Sequence, residues 1–276
     1  MDSLLVAAAL LSAALHASWN AAVKASAQPT QAMTGQMLLS ALLSLPVLLF
    51  TGLPAAAAVP WMLLSTTMNM GAVTSLLRAY EHAGFGVAYP MARASSVLLV
   101  LPLAAAVAGE WPHAPALVGV ALVSAAVLLL ARGPKRALSR PALGWTAAGA
   151  AFTACYVVFD AQGVRRSGSP LAYGCVLAFF NGLVWTALQR RRGLQLRSLL
   201  TGWPRTLAMS LAAMLSYWLI LWVWTRAPIA PAAALRDTSA IFATLIAATL
   251  LKERIDARVI AAVLLATAGT VAIRLA

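Results

Sequence analysis

Residues 93–110 read RASSVLLVLPLAAAVAGE, and residues 236–253 read RDTSAIFATLIAATLLKE. The two blocks align without a gap. Arg93, Ser96 and Glu110 face Arg236, Ser239 and Glu253, each 143 residues on, and Ala104 and Ala105 face Ala247 and Ala248. A charged residue at each end of one ungapped apolar block points to internal duplication. Two questions follow. How is the rest of the chain organised around these blocks, and why does an apolar run hold an arginine?

Composition answers the first. Of 276 residues, 62% are hydrophobic and 10% charged, and the mean hydropathy is +0.85. A soluble domain carries roughly 25% charged residues. Here the charges sit in short clusters between apolar stretches. A bilayer core of about 30 Å takes about 20 apolar residues in a helix. Backbone groups in lipid must bond within their own segment, which favours helices. Ten spans result: about 4–23, 32–50, 61–80, 86–108, 114–131, 142–162, 170–189, 206–225, 230–250 and 257–274. The expected fold is an all-α integral membrane protein with no separate soluble domain. The first apolar segment has no basic leader and no cleavage site, and is read as a retained span rather than a signal peptide.

Ten spans divide into two repeats of five, 1–131 and 142–276, within one transmembrane domain. The first spans of the halves match more weakly, ALHASWNAAVK (14–24) against AFTACYVVFDA (151–161). Five is odd, so the second repeat enters from the opposite side. Inverted repeats of this kind mark secondary transporters, whose sites lie near the midplane between the halves. Arg93 and Arg236 then lie about 10 Å deep at 1.5 Å per residue, Arg93 on the inner side of the midplane and Arg236 on the outer.

The formal charge is +13. Arg132, Lys135, Arg136 and Arg140 follow span five; Arg190, Arg191, Arg192, Arg197 and Arg205 follow span seven; Lys252, Arg254 and Arg258 follow span nine. The loops after even-numbered spans hold little beyond Arg165, Arg166 and Arg226. The positive-inside rule puts the basic loops in the cytoplasm and both termini outside. The basicity is therefore a topology signal with contact to anionic lipid, not a nucleic-acid footprint. Cys155 and Cys175 fall inside spans and read as small apolar fillers. No metal-ligand spacing, phosphate loop, His-Glu-x-x-His or Gly-x-Ser-x-Gly is present. The chain is expected to need no cofactor or metal and not to be an enzyme. The competing classes are a broad-specificity drug/metabolite efflux permease and a membrane-embedded lipid-modifying enzyme.

Polar residues inside spans are costly and face a cavity or a partner. In span one, Ser12, His16, Trp19, Asn20 and Lys24 form a stripe at three- and four-residue steps, expected to line a cavity; interhelical hydrogen bonding is the alternative. Thr66 and Asn69 share a face in span three, where Arg78, Glu81 and His82 form an interfacial cluster. In span four, Tyr89 and Arg93 are four apart. In span six, Thr153, Tyr156 and Asp160 share a face, with Asp160 placed to meet Arg165 as a solvated cap, a proton site being the alternative. Asn181 and Trp185 are four apart in span seven, and Ser210, Met214 and Tyr217 line up in span eight beside Trp218. Trp61, Trp111, Trp145, Trp203 and Trp224 stand at span ends as interfacial belts. Glu110 and Glu253 sit where a carboxylate favours the N-terminus of the next helix. Snorkelling would explain Arg93 and Arg236 singly. Their pairing favours a buried role, and an arginine can bind a free carboxylate bidentately.

AYPMARASS…GE (from residue 88) and LRDTSAIFA…LKER (from residue 235) resemble the fourth- and ninth-span signatures of EamA-type permeases, of the drug/metabolite transporter superfamily. HASWNAAVK in span one and the 5+5 layout are similar too, so the resemblance covers the whole chain. Nearest in kind are the YddG-type amino-acid exporters of bacterial inner membranes. The resemblance implies a monomeric basket of helices around a central cavity, exporting aromatic and other neutral amino acids or related metabolites by alternating access. Many family members carry Pro in the middle of spans four and nine; this chain has Val97 and Ala240 there. The candidate binding residues are then His16, Trp19 and Asn20 of span one with Asn69, Tyr89 and Arg93, and Tyr156, Asn181, Trp185, Tyr217 and Arg236 of the second half.

Overall fold

The computed structural model describes residues 1–82, 85–131, 139–200, 202–251 and 257–276, with the side chains of 85–90, 94, 130, 131, 200, 244, 247–251 and 259 outside the description. All regular structure among the described residues is helical. The helices are α1 (Ser3–Lys24), α2 (Pro29–Thr51), α3 (Val59–His82), α4 (Phe85–Ala108), α5 (Ala114–Ala131), α6 (Arg140–Arg166), α7 (Pro170–Arg191), α8 (Trp203–Trp224), α9 (Ile229–Asp237), α10 (Ser239–Leu251) and α11 (Ala257–Leu275).

Their starts follow local chemistry. Asp2 caps α1 by accepting from Leu4 N at 2.8 Å, Ser139 caps α6 through Ala142 N at 3.3 Å, and Ser169 caps α7 through Ala172 N at 3.2 Å. Pro141 and Pro170 occupy the first helical turns, where the missing N–H costs nothing. Lys24, Arg165, Arg166, Arg190 and Arg191 fall in last turns, where a cation meets the negative end of the helix dipole.

Nine of the ten expected spans coincide with one helix each. The ninth is interrupted at one residue, Thr238, whose φ of −59° and ψ of −11° stay in the right-handed helical region. α9 stops at Asp237 and α10 starts at Ser239, with Thr238 as the joint. No proline causes the break. The Thr238 hydroxyl donates to Leu235 O at 2.6 Å, while Thr238 O accepts from Ile241 N at 2.8 Å. Threonine bonding back to the preceding turn competes with the regular ladder. Among the described residues, six helices are long and apolar enough to cross a membrane: α1, α2, α4, α6, α7 and α8. The other expected spans miss that standard for visible reasons. α3 carries Thr66, Asn69, Arg78 and Glu81, and span nine is divided, while the apolar stretches of α5 and α11 that are fully described run over 114–129 and 260–275, 16 residues each.

The principal packed pairs are α3 with α6, α1 with α8, α5 with α11, α2 with α7, and α4 with α6, while α1 also packs on α9 and α10. Small residues allow the closest approach. A Cβ on Gly119 of α5 would stand 2.7 Å from Gly269 O of α11, and one on Gly269 2.8 Å from Gly119 O. Such contacts drive helix association where lipid offers no hydrophobic gain. The outer surface is apolar: Leu4, Leu49, Phe50, Leu63 and Leu264 are exposed. With long apolar helices behind it, such a surface belongs against lipid tails, and the chain is a multi-pass membrane protein.

Hydrogen bonds tie the helix ends into two opposite faces. At one, Gln31 donates to Ser198 O at 2.7 Å and Arg205 to Ala22 O at 2.6 Å. At the other, the Met1 ammonium donates to Arg274 O at 2.9 Å and Ala55 N to Ser167 O at 2.9 Å. The basic loop after α7 thus lies on the face opposite the two termini.

Candidate functional site

A cavity of about 190 Å³ lies inside the bundle, walled by α1 to α4 and α6 to α9. Asn20 near the end of α1, Met33 near the start of α2, Ala79 near the end of α3 and Trp145 near the start of α6 all line it. These ends share the face of the basic loop after α7. The opposite end is bridged by side-chain hydrogen bonds. Arg165 at the end of α6 meets Glu110 at 2.5 Å and donates to Trp224 O at 2.8 Å and Ala227 O at 2.9 Å. Glu110 also accepts from Ile229 N at 2.7 Å. Glu110 therefore serves a helix start as expected, but it is the start of α9 rather than of α5. Glu253 lies outside the described residues.

At the floor, Arg93 of α4 meets Asp237 of α9 at 3.2 Å, with side chains 10% and 7% exposed. Ser96 donates to the other Asp237 oxygen at 3.1 Å. Arg93 also donates to His16 Nε2, and His16 stands edge-on to Trp19 with ring centroids 5.0 Å apart. The buried cluster joins α1, α4 and the break in span nine. Snorkelling does not describe Arg93, because its charge is met inside the bundle.

Arg236 differs. It is 5% exposed and lines the cavity, yet its Nε and Nη1 are buried without a hydrogen-bond partner. Trp19 Nε1 and Asn181 Oδ1, also at the cavity wall, are unpartnered too. The cavity wall thus holds residues that carry unpartnered buried atoms: a cation, a neutral donor and a neutral acceptor. Its remaining surface is mainly apolar, with Met37, Val73, Leu76 and Met214 among the lining.

The residues singled out by sequence fall as follows. His16, Trp19, Asn20, Asn69 and Arg93 line the cavity from the first half, and Tyr156, Asn181, Tyr217 and Arg236 from the second. The side chain of Tyr89 lies outside the described residues. Trp185 does not line the cavity. Its ring is 1% exposed and its Nε1 donates to Thr34 Oγ1 at 3.0 Å, so it packs α7 on α2. Ser12 leaves the span-one stripe as well, exchanging hydrogen bonds with Ser216: Ser12 Oγ to Ser216 O at 2.6 Å, and Ser216 Oγ to Ser12 O at 2.8 Å. Ser210 donates to Gln36 O at 3.0 Å.

Asp160 is not a solvated cap and does not meet Arg165. It is 1% exposed and accepts from Tyr217 at 2.6 Å and Tyr173 at 3.2 Å. Trp224 leaves the expected belts, being fully buried, while Trp145, at the start of α6, is 37% exposed and also lines the cavity. Arg78 and Glu81 form the expected exposed pair at 2.9 Å. Sequence reasoning missed the α2 wall, although Met33, Gln36, Met37 and Ser40 follow the three- and four-residue steps of one helix face.

Comparison with known proteins agrees with the membrane reading. A crystal structure described only as that of a protein superposes with a TM-score of 0.79 at 14% identity, covering 99% of this chain and 96% of the other. That likeness establishes a shared fold. No curated protein matches. Residues 140–275 match the EamA-like transporter family. The helices from α6 to α11, with Tyr156, Asn181, Tyr217 and Arg236 on their cavity faces, thus form a domain of the EamA-like transporter family.

Proposed function

We propose that the protein is a ten-span exporter of small metabolites, with aromatic or other neutral amino acids as substrates, working by alternating access between two inverted five-helix repeats. The observation that carries this reading is a cavity walled by the first four spans of each half. The packing supports the repeat. Counting α9 and α10 as span nine, moving each span five places turns α3–α6 into α8–α1 and α4–α6 into the contacts of α1 with α9 and α10, while α2–α7 and α5–α11 map onto themselves. The aligned first spans agree: His16 faces Thr153 and Trp19 faces Tyr156, and all four line the cavity. Alternating access suits a cavity reached from the basic-loop side, with the Arg165–Glu110 clamp at the other end.

In this reading the basic loops are cytoplasmic, both termini are outside, and the protein works as a monomer in a bacterial inner membrane. Purified protein in liposomes, tested with a panel of radiolabelled amino acids, decides the substrate. Saturable flux of aromatic or neutral amino acids is the expected result. Flux of none of them, from correctly folded protein, overturns the amino-acid reading. Sensitivity of an expressing strain to unrelated drugs, changed across the board, would replace it with broad efflux.

A further inference from the structure

We propose that Arg236 is the docking group for a carboxylate, and that the cavity takes organic acids with an apolar body whose amino group is dispensable. The inference rests on the transporter reading and deepens it.

A guanidinium in a membrane bundle needs an anion or several acceptors. Arg236 stands close enough to Asp160 and Asp237 for its charge to act on both, yet its Nε and Nη1 are buried and hydrogen-bond to neither. Two buried acids stand in the same region, and both are committed elsewhere. Asp237 holds Arg93 with one oxygen at 3.2 Å and Ser96 with the other at 3.1 Å. Asp160 holds Tyr173 with one oxygen at 3.2 Å and Tyr217 with the other at 2.6 Å. No carboxylate lines the cavity among the described residues.

The repeat explains why only one arginine is spare. Arg93 and Arg236 are matched at a spacing of 143, and Arg93 takes Asp237 as its partner. The residue 143 places before Asp237 is Ala94. The first half therefore offers no matching acid to Arg236. One arginine pairs across the halves, and its duplicate lines the cavity with two of its nitrogens unpartnered.

A carboxylate meets a guanidinium with two parallel, charge-assisted hydrogen bonds. An amino group has a weaker claim. The unpartnered acceptor at the wall, Asn181 Oδ1, is neutral. Bonds to charged groups are worth more than neutral ones, so removing the carboxylate should weaken binding about 10- to 100-fold and removing the amine less than about tenfold. Trp19, Met37, Val73 and Leu76 supply the apolar wall for the rest of the molecule.

The test measures direct binding to the purified protein in nanodiscs with four probes of one shape: L-phenylalanine, 3-phenylpropionate, L-phenylalaninamide and phenethylamine. The two acids should bind. The amide and the amine should bind at least tenfold more weakly. In Arg236→Gln the acids should fall to the level of the amide, and Arg236→Lys should restore part of the loss. The comparison of acid with amide on the unaltered protein needs no variant, so misfolding of Arg236→Gln cannot decide it. An amide that binds within threefold of phenylalanine overturns the proposal, as does failure of both acids to bind. Flux of a cationic or uncharged solute without acid binding would remove the docking site and leave the transporter reading. Acid binding without flux in liposomes would do the reverse.

Discussion

Replacing Asp237 with leucine strands Arg93 inside the bundle. The pair stands at 3.2 Å with side chains 10% and 7% exposed, so solvent screens it little. Coulomb attraction at that distance is about 5 kcal/mol with an effective dielectric constant of about 20. Breaking a buried pair by removing one partner costs about 3–5 kcal/mol, because the remaining charge stays desolvated. Asp237→Leu should therefore destabilise the protein by about 3–5 kcal/mol, and Ser96 loses its acceptor as well. The double variant Arg93→Met, Asp237→Leu removes both charges and should recover most of the loss, since an apolar pair of similar volume often matches a buried ion pair. Reversible unfolding in mixed micelles, by titration with a denaturing detergent, measures all four corners of the cycle. A coupling of at least about 2 kcal/mol is expected for residues in direct contact. If Asp237→Leu unfolds within about 1 kcal/mol of the parent, or if the double variant is no more stable than the weaker single one, the account of Arg93 as an internally neutralised joint is wrong.

Other positions separate packing from binding. Trp185→Phe should cost about 1 kcal/mol through its lost bond to Thr34 and leave substrate affinity unchanged, whereas Trp19→Ala should weaken binding; ligand titrations of the two variants distinguish them. Glu110→Gln keeps an acceptor for Ile229 N but removes the charge facing Arg165. Because that pair is partly exposed, stability should fall by no more than about 1 kcal/mol, while a cysteine placed at Ala227 should react several-fold faster with a polar thiol reagent. An unchanged labelling rate would mean that the clamp does not close that end. Gly119→Val puts branched carbons where Ile273 and the Gly269 carbonyl already stand; a loss of about 1–3 kcal/mol or more is expected in the same unfolding assay, and no loss would contradict the close approach of α5 and α11.

Much of the architecture was legible because lipid imposes a strong one-dimensional rule. A helix must be long and apolar enough to cross, so span positions read directly from hydropathy. The arginine pair was legible because both copies kept a charge in an apolar block. Less visible was anything that depends on which helix faces which. Trp185 and Asn181 share a helix face by spacing, yet Trp185 is turned onto Thr34 of α2 and Asn181 onto the cavity. Asp160 was placed near an interface by counting residues, yet Tyr173 in the first turn of α7 and Tyr217 in the second half of α8 meet over it. Met33, Gln36, Met37 and Ser40 formed a readable stripe, but without a charge they gave little reason to prefer them over ordinary core.

The sequence by itself determined the class, the helical segments and the existence of a matched arginine pair, because hydrophobic length and ungapped spacing are properties of the chain alone. Only the tertiary structure decided what the pair does. A charge buried in an apolar bundle takes its character from whichever acceptors the packing brings within about 3 Å. For Arg93 that is Asp237, which also holds Ser96; for Arg236, a residue of the cavity wall, Nε and Nη1 find no acceptor among the described residues.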